Sequence, residues 1–180
     1  MAPMQVSVHP LEADQVPVLR NLCQFYAYDF AELAGWDVPA SGRFDDDIVE
    51  GCEPGGARHA FLLRVDGALA GFAIVDSCSC LDGDPAVFDM AEFFVARRYR
   101  RRGVGAAAAA AVLARFPGRW EIRQTTSNPG ATAFWREVAR RVATAGFDEV
   151  VVDSPAWRGP VQRFSVGPSA TPPAVLTPSR

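Results

Sequence analysis

Apolar residues recur along the chain at two spacings, and the spacings predict both helices and strands. Near the N-terminus the apolar positions are three or four residues apart and would form one helical face: Val16, Leu19, Leu22, Tyr26, Phe30 and Leu33. We expect this helix to begin near Asp14 and to end at Gly35. Two later helices are predicted, an alanine-rich one over 104–115 and one opened by Asn128 as N-cap and Pro129 as first helical residue.

Shorter apolar runs between turn signals predict strands. The runs cover residues 5–9, 59–65, 68–77, 86–95, 120–126, 148–153 and 161–166. Asp66-Gly67 is a hairpin turn signal, and residues 82–85 form a second turn. Residues 36–58, rich in Gly, Pro and Asp, are expected to form an irregular connection.

This order of elements predicts the fold class. Strand, helix, antiparallel meander, helix, strand, helix and closing strands indicate an α/β (α+β) fold with a mixed, mostly antiparallel sheet of about six to seven strands, flanked by helices. A chain of 180 residues is long enough to bury a full core, so we expect one domain over residues 1–166. Residues 167–180 are proline-rich and without periodicity, which favours a disordered tail.

Composition excludes several classes of protein. No apolar run is long enough to span a membrane, and the N-terminus lacks the pattern of a secretory signal. Cys23, Cys52, Cys78 and Cys80 are too few for a disulfide scaffold, and Cys78-x-Cys80 lacks the second ligand pair of a zinc site. We therefore expect a cytoplasmic protein, monomeric or homodimeric, without a metal centre.

The stretch RRYRRRGVG, which we call the arginine–glycine loop (residues 97–105), contrasts with the formal net charge of −3. It follows a strand and opens a helix, so free backbone N–H groups and the positive end of the helix dipole meet there. Gly103 and Gly105 remove Cβ atoms that would obstruct a ligand, and the arginines add donors. The loop is therefore suited to a phosphate or pyrophosphate group.

Four other interpretations of this loop compete with that one. Gly103-x-Gly105-x-x-Ala108 formally fits a dinucleotide fingerprint, but about seven residues separate Val95 from Gly103, where that motif needs a tight turn. A phosphate loop of the Walker type requires a lysine, and the chain has none. A nucleic-acid site is normally part of a basic domain, whereas this chain has a pI near 5.4. A solvated basic turn is the fourth interpretation.

Val95-x-x-x-Tyr99-Arg100-x-x-Gly103-x-Gly105 resembles the acyl-CoA loop of the GNAT superfamily of N-acetyltransferases. The segment AEFFV precedes it as the family's central strand does. Asn128-x-x-Ala131-x-x-Phe134-Trp135 and then Gly146-Phe147 follow, similar to later motifs of the family. The segment WRGPVQRF (157–164) is similar to a group of predicted acetyltransferases without an assigned substrate.

The resemblance implies a V-shaped splay between a bulged fourth strand and the fifth strand, which would accommodate the pantetheine arm of acetyl-CoA. Backbone groups of Phe94 and Val95 would bind the arm or polarise the thioester. The implied cofactor-binding residues also include Arg97, Arg100, Arg101, Arg102, Gly103, Val104, Gly105, Ala106, Asn128, Phe134 and Trp135. For Asn128, a helix cap is the simpler role, and the two roles are compatible.

Direct transfer of the acetyl group requires a neutral amine and hence a base. Glu92 is the best candidate, because a carboxylate buried in a hydrophobic strand has a raised pKa; Asp89 is the reserve. A carboxylate satisfied by a neighbouring arginine is the alternative. Trp135 stands where the family often has a tyrosine that protonates the leaving thiolate, and an indole cannot act as a general acid. The general acid is therefore unassigned, and a non-catalytic acyl-CoA-binding protein is the rival function.

The acceptor pocket implied by the resemblance is formed by residues 26–37 and 153–159, with Tyr26, Tyr28, Asp29 and Trp157 as candidate substrate-binding residues. Carboxylates at Asp37 and residues 45–47 favour a cationic amine, although a solvated acidic face is the more ordinary interpretation. We expect a small-molecule or peptide amine as substrate, and neither nucleic acid nor membrane as partner.

Overall fold

The computed structural model describes residues 4–155 and 157–168. Within them, all the predicted elements are present. The strands are β1 (Val6–Pro10), β2 (Arg58–Val65), β3 (Ala68–Asp76), β4 (Val87–Val95), β5 (Gly118–Arg123), β6 (Ala143–Asp153) and β7 (Arg158–Val166), and the helices are α1 (Val16–Ala34), α2 (Val104–Leu113) and α3 (Pro129–Val142). The predicted tail lies outside the described residues from residue 169 onward.

The strands form one sheet in the order β1-β2-β3-β4-β5-β7-β6. Neighbours are antiparallel except β4 and β5, which run parallel. The parallel pair is short, because only Val87–Asp89 of β4 face Arg119–Glu121 of β5. Beyond Asp89, β4 continues along β3 while β5 continues along β7. The mixed, mostly antiparallel sheet with a splay between the fourth and fifth strands is therefore confirmed.

A β-bulge in β4 determines which way its carboxylates point. Met90 lies opposite Val75, and Glu92 lies opposite the next residue, Ile74, so Ala91 is an extra residue on β4. Side chains alternate between faces along a regular strand, and two residues three apart would point in opposite directions. The bulge at Ala91 instead brings Asp89 and Glu92 to the same face, the one covered by α1.

The two faces of the sheet carry separate hydrophobic cores. Against α1 lie buried side chains such as Leu19, Cys23, Phe72 and Phe94. On the other face α2 and α3 cover a larger core that includes Trp120, Trp135, Val104 and Ala108. The alanines of α2 favour the helix and are small, so Ala108 and Ala109 are completely buried. None of the helices in the described ranges has the length and hydropathy to cross a membrane.

The structure differs from the sequence prediction at the start of β6 and in the exposure of Leu33. Strand β6 begins at Ala143, directly after α3, whereas its predicted start was residue 148. Pairing with β7 is irregular between Ala143 and Phe147, and Gly146 adopts a φ of +80° there. The Gly146-Phe147 pair therefore lies inside a strand, and its glycine allows the irregularity. In α1, Leu33 belongs to the predicted apolar face but is 37% exposed.

Candidate active site

A cavity of about 750 Å³ opens on the splay between β4 and β5. The ends of both strands, the start of α3, helix α1 and the irregular segment after it form its walls. Its lining includes the side chains of Tyr26, Phe30, Trp36, Asp37, Phe44, Asp45, Asp47, Glu92, Phe93, Arg123, Gln124, Asn128, Trp135 and Trp157. The fold thus brings together residues that the sequence singled out: Tyr26, Glu92, Asn128, Trp135 and Trp157, with the carboxylates of Asp37, Asp45 and Asp47.

Glu92 is half-buried in this cavity, on the face of β4 that α1 covers. Burial raises the pKa of the carboxyl group above its ordinary value. A hydrogen bond from the Tyr26 hydroxyl and the charges of Arg58 and Arg123 oppose that rise in pKa. In the described part of the chain Glu92 forms no ion pair, so no arginine neutralises it directly. Its environment is therefore that of a proton acceptor.

Asp89 lies deeper than Glu92, at the point where β4 and β5 separate. It is 2% exposed, and burial raises the pKa of its carboxyl group to about 7. Its Oδ2 atom lies 3.5 Å from Arg123 Nη2, and its Oδ1 atom has no partner among the described residues. Since Asp89 does not line the cavity, it is less accessible to an amine than Glu92.

The backbone of the arginine–glycine loop presents free amide groups. Gly103 caps α2 with a φ of +78°, a conformation that glycine adopts without strain. The first amide of the helix to find a partner is that of Ala107, which donates to the Gly103 carbonyl at 3.0 Å. The preceding amides, from Gly103 to Ala106, have no backbone partner among the described residues and can bind an anion at the positive end of the helix dipole.

Gly105 is needed for packing as well. A Cβ atom at this position would lie 3.3 Å from the Phe134 ring and 3.8 Å from Val95. The absence of a side chain therefore lets the first turn of α2 approach α3 and the end of β4. Phe134 in turn stacks at 6.0 Å on Phe93, which lines the cavity.

Four of the five arginines of the loop fall into two groups, and the fifth, Arg98, lies 5.7 Å over the Tyr99 ring. Asp29 of α1 binds both Arg97, at 2.7 Å, and Arg100. Arg100 also donates from Nε to the Val95 carbonyl at 2.6 Å. Arg101 and Arg102 are exposed and form no ion pair within the described residues. Two arginines thus fasten the loop to α1 and β4, and two are available to a ligand.

Two candidate substrate residues lie away from the cavity lining. Asp29 is engaged by the loop arginines, and Tyr28 is 62% exposed on α1. The backbone of Phe94 is likewise engaged, because Phe94 pairs with Phe72 of β3. Since backbone directions alternate along a strand, the backbone groups of Phe93 and the amide of Val95 face the splay, whereas the Val95 carbonyl accepts the Arg100 hydrogen bond.

Asn128 has the cap role and also lies in the cavity. Its Oδ1 atom accepts a hydrogen bond from the amide of Ala131 at 3.0 Å. The same side chain lines the cavity at the start of α3. The cap uses the oxygen alone, so the side-chain nitrogen is available for a different contact.

A splayed parallel pair, a glycine-capped helix with free amides and a carboxylate in the intervening cavity are the features that the sequence motifs implied. The model of the Acetyltransferase (GNAT) family matches residues 20–139, well over half of the chain. The chain belongs to this family.

Solved structures share the GNAT fold. An acetyltransferase from Thermus thermophilus superposes with a TM-score of 0.61 at 19% identity, over 91% of this chain and 97% of its own. For the aminoglycoside acetyltransferase AAC(6')-Ib in complex with coenzyme A, the TM-score is 0.62 at 15% identity, over 89% and 94%. The ribosomal-protein-S18-alanine N-acetyltransferase from Escherichia coli gives 0.54 at 16% identity, over 92% and 96%. A comparison with curated proteins found no match.

Trp135 of this GNAT protein packs as a wall of the cavity. It is 6% exposed and meets Phe93 at 5.1 Å and Phe134 at 4.9 Å, both edge to face. Trp157 also lines the cavity, with the Arg123 guanidinium 5.3 Å above its ring. The indole of Trp135 therefore contributes apolar surface beside the splay.

Sequence reasoning missed several residues of the GNAT cavity. Arg123 and Gln124 reach it because β5 ends at the splay, and Trp36 and Phe44 reach it because the irregular segment folds back over the sheet. The run of polar residues QTT after an apolar strand was a usable signal for Gln124. Nothing in the local pattern identified Phe44, whose placement depends on the path of a loop, whereas Trp36 lies within the predicted pocket segment 26–37.

Proposed function

We propose that this protein transfers the acetyl group of acetyl-CoA to a primary amine, and that residues 1–166 form the one domain responsible. One observation carries the proposal: Glu92, a half-buried carboxylate with a raised pKa, lies in the same cavity that opens on the β4–β5 splay. The structural neighbours support it, since they include an aminoglycoside acetyltransferase in complex with coenzyme A and kanamycin and an alanine N-acetyltransferase.

The residues present fit the donor. The free amides from Gly103 to Ala106, with Arg101 and Arg102 beside them, would hold the pyrophosphate. The exposed edge of β4, at the backbone groups of Phe93 and the amide of Val95, would hold the arm together with the Asn128 nitrogen. Phe134 and Trp135 would exclude water from its end. When bound, acetyl-CoA supplies a thioester carbonyl that an amine can attack.

Glu92 would accept a proton from the substrate ammonium, which leaves the nitrogen lone pair free for attack. The new C–N bond replaces the C–S bond, the nitrogen gives up its second proton to water, and the thiolate departs. Tyr26 is the tyrosine closest to this chemistry, but burial and the Glu92 charge raise its pKa well above the ordinary value. Tyr26 therefore keeps its proton and orients Glu92, and the thiolate takes its proton from water.

The acceptor we infer is a cation with apolar surface. Asp37, Asp45 and Asp47 line the outer part of the cavity and form no ion pair within the described residues. The adjacent Asp46, by contrast, binds Arg20 and Arg43. Aromatic rings such as Trp36 and Phe44 stand beside these carboxylates and suit the body of an amine.

The test is release of the coenzyme A thiol from acetyl-CoA in the presence of a panel of amines: amino acids, polyamines, aminoglycosides, peptides with free N-termini and lysine peptides. We expect release with one cationic class and none when the amine is omitted. Calorimetry with coenzyme A accompanies the assay. Tight binding without release across the panel would favour the non-catalytic acyl-CoA-binding function, for which the tryptophan at position 135 is the supporting observation.

A further inference from the structure

A row of polar side chains crosses the sheet beneath α3 and ends in the cavity. Arg136 of α3 donates from Nε to Glu149 of β6 at 2.8 Å. Gln162 of β7 donates from Nε2 to the same carboxylate at 2.8 Å. Gln124, just after β5, donates from Nε2 to Gln162 Oε1 at 2.7 Å and to the Ile122 carbonyl at 2.9 Å.

The charge at one end of this row determines the orientation of every amide in it. The Arg136 guanidinium lowers the pKa of Glu149 to about 2, so Glu149 is ionised and can only accept hydrogen bonds. Gln162 must therefore turn its NH₂ group to Glu149 and its oxygen to Gln124. Gln124 must then turn its own NH₂ group to Gln162.

The consequence is that the side-chain carbonyl oxygen of Gln124 lacks a hydrogen-bond donor among the described residues. Both N–H groups of Gln124 are used, and its Oε1 atom has no hydrogen-bond partner among the described residues. Gln124 is 4% exposed, and it lines the cavity. A buried acceptor without a donor is destabilising, and a ligand N–H in the cavity would remove that destabilisation.

The position of Gln124 indicates which ligand supplies that N–H. Ile122, two residues earlier, belongs to the core under α2 and α3, so Gln124 projects to the same face. The free amides of α2 lie on this face as well. The inference rests on the proposed function. In that function the pantetheine arm of the donor would run from those amides to the splay between β4 and the end of β5, and this arm contains two secondary amides.

We infer that Gln124 Oε1 accepts a hydrogen bond from a pantetheine amide N–H of the acyl donor, and that Arg136, Glu149 and Gln162 are positioning residues that hold this oxygen in place. The β5 side of the splay thereby contributes a side-chain acceptor to a groove whose β4 side is backbone. Gln124 would thus bind the arm of the donor, whereas the amides at the start of α2 would bind its nucleotide end.

The experiment compares the binding of three probes by calorimetry: coenzyme A, its nucleotide half without the arm, and coenzyme A analogues in which one arm amide is replaced by an ester. We expect Gln124→Met to weaken the binding of coenzyme A by about tenfold, the value of one such hydrogen bond. The affinity for the nucleotide half should change by less than about twofold. One ester analogue should bind the natural protein about tenfold more weakly than coenzyme A does. The same replacement should cost little affinity in Gln124→Met, where the acceptor is already absent.

Glu149→Gln is the second variant, because Glu149 lies at the far side of the row and its loss leaves Gln124 itself intact. Without the fixed charge both glutamine amides can turn. The affinity for coenzyme A should therefore fall by roughly threefold, and the affinity for the nucleotide half should not change. Equal losses for coenzyme A and the nucleotide half, or no loss in either variant, would overturn the inference. If the natural protein bound neither probe, the proposed function itself would fail.

Discussion

The arginine–glycine loop and the carboxylate pair of β4 carry opposite charges and obtain their chemistry in opposite ways. In the loop, the groups proposed to bind the ligand are backbone amides, and the side-chain charge is exposed and partly paired with Asp29. In β4, the groups are side chains, and burial gives Asp89 and Glu92 their raised pKa values. The loop therefore depends on local conformation, whereas the carboxylates depend on what is packed around them.

The largest effect is expected from removing Glu92, the proposed proton acceptor on β4. Glu92→Gln keeps the shape of the side chain and should lower turnover by ~10²–10⁴, with little change in coenzyme A affinity. Steady-state kinetics with an accepted amine measures the first quantity, and calorimetry the second. Turnover within a few-fold of the natural enzyme would assign a structural role to Glu92.

Tyr26→Phe sharpens the same test. The Tyr26 hydrogen bond lowers the pKa of Glu92. Without it the pKa should rise further, and the acidic limb of the pH profile of kcat/KM should move to higher pH. An unmoved limb would mean that another group is titrating.

The next effect is on stability. Asp89 has a pKa of about 7 in the fold, above the 3.8 of an unperturbed aspartate. The folded state therefore binds the extra proton, and this contribution to stability, present below about pH 4, is lost as the pH rises toward 7. At about 1.4 kcal/mol per pKa unit, the loss is ~4 kcal/mol.

Asp89→Asn should thus flatten the decline in the free energy of unfolding between pH 5 and 8, measured by urea denaturation. Asp84→Asn is the matched control, because hydrogen bonds lower the pKa of exposed Asp84, and its contribution is lost only at more acidic pH. An unchanged slope in Asp89→Asn would show that Asp89 is ionised in the folded protein at neutral pH.

A smaller effect should separate the two groups of arginines. Replacing Arg101 and Arg102 together by alanine should lower the affinity for coenzyme A by about tenfold at low salt. The loss should become smaller as ionic strength rises. Arg97→Ala removes the pairing with Asp29 and should change the affinity by less than about twofold. Calorimetry over a salt series measures both, and equal losses would contradict the division.

The smallest effect is expected at the apolar wall. Trp135→Phe should keep kcat within about threefold, because a ring still packs on Phe93 and Phe134. Trp135→Ala removes that surface and serves as the control that the wall matters. A hundredfold loss in Trp135→Phe with coenzyme A binding intact would show that the indole N–H is needed near the transition state.

The sequence by itself determined what depends on neighbours along the chain. The spacing of apolar residues predicted the strands and helices, Asn128-Pro129 predicted the cap of α3, and the glycines with the arginines predicted an anion site at the start of α2. Each of these depends on backbone geometry within a few residues, which local sequence encodes. Glu92, which the structure places in the cavity, was proposed as the base because a carboxylate stood out in an apolar strand.

Tertiary structure decided the rest. Regular alternation would place Asp89 and Glu92 on opposite faces, and only the register of β4 against β3, with its extra residue at Ala91, turns both toward α1. The pairing of Arg97 and Arg100 with Asp29 joins segments about seventy residues apart. The free oxygen of Gln124 depends on a charge at Glu149 two side chains away. Such features arise from strand register and long-range packing, which no local pattern encodes.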